Sequence, residues 1–117
     1  MDEAYERTML FDFYGELLTD KQKEYFDLHY NEDLSLSEIA ESEGITRQGV
    51  WDIIRRAEDT LRRFERRTGL VARFADQRRI VDRMEEKLAA LMPRLTGEDK
   101  ALAEDLQREL RELRHGI

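Results

Sequence analysis

The stretch SLSEIAESEGITRQGVWDIIRR, Ser35 to Arg56, constrains the fold more than any other, because its capping, small and apolar residues describe two short helices packed across a tight turn. Ser35 and Glu38 make a capping box, the serine oxygen taking one free backbone N–H and the glutamate reaching back to another, so a helix starts there. Ile39 and Ala40 fall on its inner face, Ala40 being small where a crossing helix comes close. Gly44 stands where the chain turns through the left-handed region that glycine enters cheaply. Thr46 is the expected N-cap of a second helix, in which Val50, Ile53, Ile54 and Ala57 recur at helical spacing and can face Ile39, Ala40 and Ile45. The spacing predicts a helix-turn-helix. Its outward face carries Thr46, Arg47, Gln48, Trp51, Asp52, Arg55 and Arg56, the candidate nucleic-acid-binding set. A helical hairpin that binds only protein satisfies the same packing.

The remaining residues favour helices as well. A single proline, six glycines and runs rich in Glu, Arg, Leu and Ala suit an all-α chain, and 40% hydrophobic residues in 117 can bury a core. Without cysteine there is no disulfide and no thiolate metal site. No apolar run approaches the roughly 20 residues that span a bilayer, and MDEAYER is the opposite of a basic signal-peptide start, so a cytoplasmic protein is expected.

Charge is unevenly placed. The net charge of -7 argues against duplex binding driven by bulk electrostatics, which needs basic surface to release counterions. Residues 1–46 hold 13 acidic and 3 basic side chains, whereas residues 47–67 hold 4 acidic and 7 basic, making the second helix the one basic island of an acidic amino-terminal half. Arg62, Arg63, Arg66 and Arg67 can equally form a solvated face balanced by Glu58, Asp59 and Glu65.

In chain order, residues 2–18 are expected to form a helix with a broad apolar stripe of Tyr5, Met9, Leu10, Phe13, Tyr14, Leu17 and Leu18, leaving Phe11 outside it. Thr19 and Gln22 make a second capping box, opening a helix from Asp20 to about Tyr30. His29 has no partner at metal spacing and reads as structural, and Leu36 reads as a core plug. The helix from Arg47 should run to about Arg67 and end at Thr68-Gly69. Beyond it, Leu70, Phe74, Gln77, Val81, Met84, Leu88 and Leu91 follow 4-3 spacing, a heptad seam with one polar member. Pro93 stops that helix; Thr96 and Asp99 offer a cap for a last one from Glu98 to about Arg114, carrying Leu102, Leu106, Leu110 and Leu113. The last two helices can close as an antiparallel hairpin or pair with another subunit. The expected organisation is a helix-turn-helix domain over 1–69 and a helical hairpin or coiled-coil extension over 70–117.

No Gly-rich phosphate loop, H-E-x-x-H, C-x-x-C or nucleophile elbow occurs, and the carboxylates sit at helix starts and exposed faces. Neither enzyme activity nor a catalytic residue, metal site or cofactor is expected.

The phrases LLTDKQKEYFDLHY, DLSLSEIAE and TRQGVWDIIRR resemble the region 4 helix-turn-helix of bacterial sigma factors and, more closely, the YlxM family of small helix-turn-helix proteins. The resemblance spans about residues 9–67, with FYGELL and the carboxy-terminal helices matching more loosely. It implies a sigma region 4-like helix-turn-helix bundle followed by a two-helix carboxy-terminal extension, without the segments a full sigma factor needs. It also implies a cytosolic bacterial protein whose gene lies beside those of the signal recognition particle GTPases Ffh and FtsY, and an accessory or regulatory role in that pathway. Gly49 and Trp51 depart from the family pattern, and Gly49 costs roughly 1 kcal/mol against alanine in a helix. Three functions follow. The first is a nucleic-acid-binding accessory protein acting on signal recognition particle RNA, Ffh or both, with Arg47 and Arg55 for phosphates or guanine edges, Gln48 for a base edge and Trp51 for stacking. The second is a sequence-specific transcriptional regulator, a homodimer placing two recognition helices about 34 Å apart on duplex DNA. The third is a protein-interaction module using the first helix. No small-molecule substrate is expected.

Overall fold

The computed structural model describes residues 2–116 as an all-α protein: a helix-turn-helix bundle followed by a two-helix carboxy-terminal extension. Six α-helices occur among the described residues: α1 Glu3–Tyr14, α2 Asp20–Tyr30, α3 Leu36–Glu43, α4 Arg47–Thr68, α5 Leu70–Leu91 and α6 Gly97–Gly116. Short 3-10 turns, Gly15–Leu17 and Met92–Arg94, follow α1 and α5. The chain forms two compact units, one ending at Val71 and one starting at Ala72.

In the first unit α1, α2 and α3 all pack on α4. The start of each is fixed by local chemistry. Thr19 with Gln22 and Ser35 with Glu38 both form complete capping boxes, and the Thr46 hydroxyl accepts the Gly49 N–H at 2.9 Å to start α4. Gly44 ends α3 at φ 70° and Gly69 ends α4 at φ 64°, left-handed values that a Cβ penalises. Ile39 and Ala40 of α3 meet Val50, Ile54, Ala57 and Leu61 of α4 in a core completed by Leu10, Tyr14, Leu18, Tyr25, Phe26 and Val71. His29 is structural, its Nδ1 2.8 Å from the Leu34 carbonyl oxygen. Leu34 and Leu36 seal the edge of this core.

Three expectations for this unit need correction. The helix expected over 2–18 is α-helical only to Tyr14, and its apolar stripe is narrower, because Tyr5, Phe13 and Leu17 are exposed. Phe11, expected outside, packs against the core with its ring stacked on Phe26 at 5.1 Å. Ile45 does not face Val50 but is 38% exposed, since it sits in the turn before α4 begins.

In the second unit α5 and α6 close as a hairpin within the chain, with Val81, Leu88, Ala103 and Leu110 buried between them. Arg114 of α6 donates to Glu85 Oε1 at 3.0 Å and to Asp82, both on α5. Because Ala103 and Leu110 pack against Val81 and Leu88, only alternate members of the 4-3 seam of α5 are used: Val81 and Leu88 are buried, while Gln77, Met84 and Leu91 are exposed. On α6 Ala103 takes the buried place, and Leu102, Leu106 and Leu113 remain exposed.

Candidate nucleic-acid interface

The second helix of a helix-turn-helix presents to a ligand whatever lies opposite its buried stripe. Val50, Ile54, Ala57 and Leu61 are fully buried, and the 100° step between residues then turns Gln48, Asp52, Arg55, Arg56, Asp59, Arg63 and Arg66 outward. All seven candidate residues lie on or before the first three turns of α4. Thr46 serves as the N-cap, its oxygen occupied by the Gly49 N–H. Arg47, Gln48 and Trp51 come together with Leu36 of α3 around an open groove of about 490 Å³. Trp51 is 37% exposed, so part of the indole is seated and the rest is available at the surface.

Asp52 organises its neighbours. Its carboxylate accepts from Gln48 Nε2 at 3.0 Å and lies 3.5 Å from Arg55 Nη2. Arg55 is therefore partly neutralised, whereas Arg47 and Arg56 make no ion pair among the described residues. The groove brings Arg47, Gln48 and Trp51 into one place; Arg55 and Arg56 lie further along the outward face.

Leu36 was expected in the core alone, yet it also lines this groove. Leu36 is the first residue of α3, at the end away from the Gly44 turn, and reaches this groove because α3 packs across α4, which no local spacing signals. Further along α4 a second groove, of about 550 Å³, is lined by Gln22, Arg56, Asp59, Thr60, Arg63 and Arg66. Arg63 and Arg66 belong to the basic island of the sequence but not to the candidate set. The seven-residue step from Arg56 to Arg63, which keeps both on one face, is the signal that connects them.

Of the three acids offered as balance for this island, Glu58 pairs with Arg62 and Glu65 turns toward Tyr14, while Asp59 stays in the groove beside Arg56, Arg63 and Arg66. Glu58 accepts Arg7 Nε at 2.6 Å and lies 3.7 Å from Arg62 Nε. Glu65 accepts the Tyr14 hydroxyl at 2.6 Å and the Val71 N–H at 3.0 Å. Burial, reinforced by the Glu65 hydrogen bond, raises the Tyr14 phenol above its ordinary value.

Comparison with known proteins agrees with this geometry. Residues 1–97 match the family model described as "Putative helix-turn-helix protein, YlxM / p13 like". The UPF0122 protein of Thermoanaerobacter sp. (strain X514) is 41% identical over 113 residues, 96% of this chain and 97% of the relative. That of Geobacillus kaustophilus (strain HTA426) is 43% identical over 113 residues, 97% of this chain and 98% of the relative. The relative from Acetivibrio thermocellus is 51% identical over 78 residues, 67% of each chain. With its helix-turn-helix formed by α3, the Gly44 turn and α4, the chain belongs to the UPF0122 family of YlxM/p13-like helix-turn-helix proteins.

Proposed function

We propose that the chain is a cytoplasmic nucleic-acid-binding accessory protein of the signal recognition particle pathway, acting on the particle RNA with the GTPase Ffh as its protein partner. One observation carries this reading: Arg47, Gln48 and the half-exposed Trp51 converge on an open groove at the amino-terminal end of α4. An arginine, an amide and an indole in one groove suit a nucleotide that is partly unstacked, the guanidinium taking a phosphate or guanine edge, Gln48 a base edge and Trp51 the ring face. The acidic balance of the whole chain favours structured RNA with accessible bases over duplex held by bulk charge. The pathway itself rests on what the YlxM resemblance implies, the family's association with Ffh and FtsY.

A second reading, a transcriptional regulator on duplex DNA, is favoured by Arg47 and Gln48 standing in the first turn of α4. Recognition helices reach base edges from that end.

Fluorescence anisotropy separates these readings. The protein is titrated with signal recognition particle RNA, a random duplex DNA and Ffh at two salt concentrations, beside Arg47→Ala/Arg55→Ala. Binding of the RNA or Ffh that the double variant loses supports the proposal. Preference for duplex DNA transfers the function to the regulator, and unchanged binding by the variant transfers it to a protein-interaction surface away from α4.

A further inference from the structure

We propose that Arg56, Arg63 and Arg66 form a second anion site on α4, which takes successive phosphates of the strand whose bases meet the groove at Arg47, Gln48 and Trp51. The inference rests on the nucleic-acid reading above. Its basis is where the neighbouring carboxylates go. Glu58 is held by Arg7 and Arg62, and Glu65 by Tyr14 and the Val71 N–H, so neither is ion-paired with the outward face, although Glu6 and Glu65 border Arg66 on its other side. Among the described residues, no carboxylate lies within ion-pair distance of Arg56, Arg63 or Arg66. Arg63 Nη2 donates to the Thr60 hydroxyl at 3.1 Å, a neutral partner that leaves its charge available.

These arginines line one open groove with Gln22 of α2 supplying an amide at its edge. Ten residues of helix separate Arg56 from Arg66, which at a rise of about 1.5 Å per residue is about 15 Å. That length suits a few adjacent phosphates and is too long for a single small anion. Such contacts position a strand without reading sequence, and complement a base-reading groove at the other end of the same helix. Asp59 sits inside the row and opposes it, which makes its removal informative.

The test titrates wild type, Arg63→Ala/Arg66→Ala and Asp59→Asn with structured RNA over a salt series, circular dichroism confirming the fold of each. Loss of both arginines should weaken binding of every RNA tested and lower the slope of log affinity against log salt by about 1 per phosphate contact. Asp59→Asn should tighten binding severalfold, a gain that a merely structural role for the row would not give. If wild type binds and both variants match it in affinity and slope, the second site is wrong while the groove reading stands. If wild type binds no nucleic acid, both fall together.

An independent observation lies in the carboxy-terminal hairpin. Ile80, Met84 and Leu91 of α5 and Leu102, Leu106 and Leu113 of α6 expose on the order of 600 Å² of apolar side chain, at the upper end of what a monomer carries. Lys87 and Glu109 occupy the remaining heptad positions of the two stripes. We infer that a second copy of this chain covers this face, making a four-helix bundle from two hairpins. A two-fold contact of this kind is self-complementary, bringing Lys87 of each copy toward Glu109 of the other. The area approaches the roughly 800 Å² per partner of a standard interface, whereas two helices alone bury only Val81, Leu88, Ala103 and Leu110.

Sedimentation velocity on the full chain tests this. Twice the chain mass is expected for wild type, the single mass for Met84→Glu/Leu106→Glu, weakened association for Lys87→Glu and recovery in Lys87→Glu/Glu109→Lys. A monomeric wild type at micromolar concentration, or a dimer that survives Met84→Glu/Leu106→Glu, overturns it.

Discussion

Arg7 of α1 donates its Nε hydrogen to Glu58 Oε1 of α4 at 2.6 Å, with its guanidinium carbon 4.5 Å from the centre of the Tyr30 ring. This contact joins α1, α2 and α4, and it turns Glu58 toward the bundle and away from the arginines of the outer face. Arg62 completes the arrangement by donating to Glu6 of α1 at 3.1 Å.

Glu58→Ala leaves both Arg7 and Arg62 without their shared carboxylate. The pairs are three-quarters screened from water, between an exposed ion pair and a buried one, so the variant should lose about 1–2 kcal/mol of stability. Urea denaturation measures this. Stability equal to wild type would show that Glu3, the Tyr30 ring and Glu6 suffice to hold the two arginines.

Tyr14 is buried, and its hydroxyl donates to Glu65 while Thr68 lies within hydrogen-bond distance. Tyr14→Phe keeps the packing against Phe64 but deprives Glu65 of a donor, at a cost of about 1–2 kcal/mol. Thermal unfolding provides the readout. A neutral result would mean that the other partners of Glu65, the Val71 N–H among them, suffice for its carboxylate.

Gly49 is the third residue of α4, and its N–H is the one the Thr46 cap accepts. A Cβ there would lie 3.1 Å from the Thr46 hydroxyl oxygen that caps α4. Gly49→Ala gains about 1 kcal/mol of helix propensity and strains a cap worth a similar amount. The net change in denaturation free energy should fall within about 0.5 kcal/mol of zero. Stabilisation by the full propensity difference would show that the cap yields freely.

The Ser35 N–H, and then its side chain, hold the Glu38 carboxyl below the usual carboxylate range. A folded value below the unfolded one contributes stability that is present above the ordinary glutamate value and lost as pH falls toward the folded value. Glu38→Gln keeps an acceptor for the box but cannot titrate. The stability advantage of wild type over this variant should therefore shrink as pH is lowered from about 6 to about 3. Ser35→Ala should cost about 1 kcal/mol at neutral pH through the lost cap. A wild-type advantage that does not change with pH would remove the capping box from the account.

What was legible in the sequence was local. Thr19 with Gln22, Ser35 with Glu38, Gly44, Thr46 and Gly69 act on backbone groups within a few residues, so α2, α3 and α4 could be bounded from spacing alone. What was hidden depends on distant partners. Phe11 enters the core because Phe26 offers it a ring. The α5 seam splits because α6 offers Ala103 and Leu110 to Val81 and Leu88 alone, with Arg114 pairing Asp82 and Glu85 beside them. The outward placement of Arg47, Gln48 and Arg55 follows from the period of α4. The second groove does not, since only the contacts of Glu58 with Arg7 and of Glu65 with Tyr14, each spanning 51 residues, show which arginines keep their charge.

The single tryptophan of the chain stands in the proposed contact groove, which gives the central claim a direct probe. Intrinsic fluorescence of Trp51 is followed while signal recognition particle RNA is added, for wild type and for Arg47→Ala/Arg55→Ala. Saturable quenching at micromolar RNA, shifted to weaker binding in the double variant, is the predicted result. Emission that stays constant for wild type, or quenching that the variant reproduces unchanged, would contradict a nucleic-acid site at the amino-terminal end of α4.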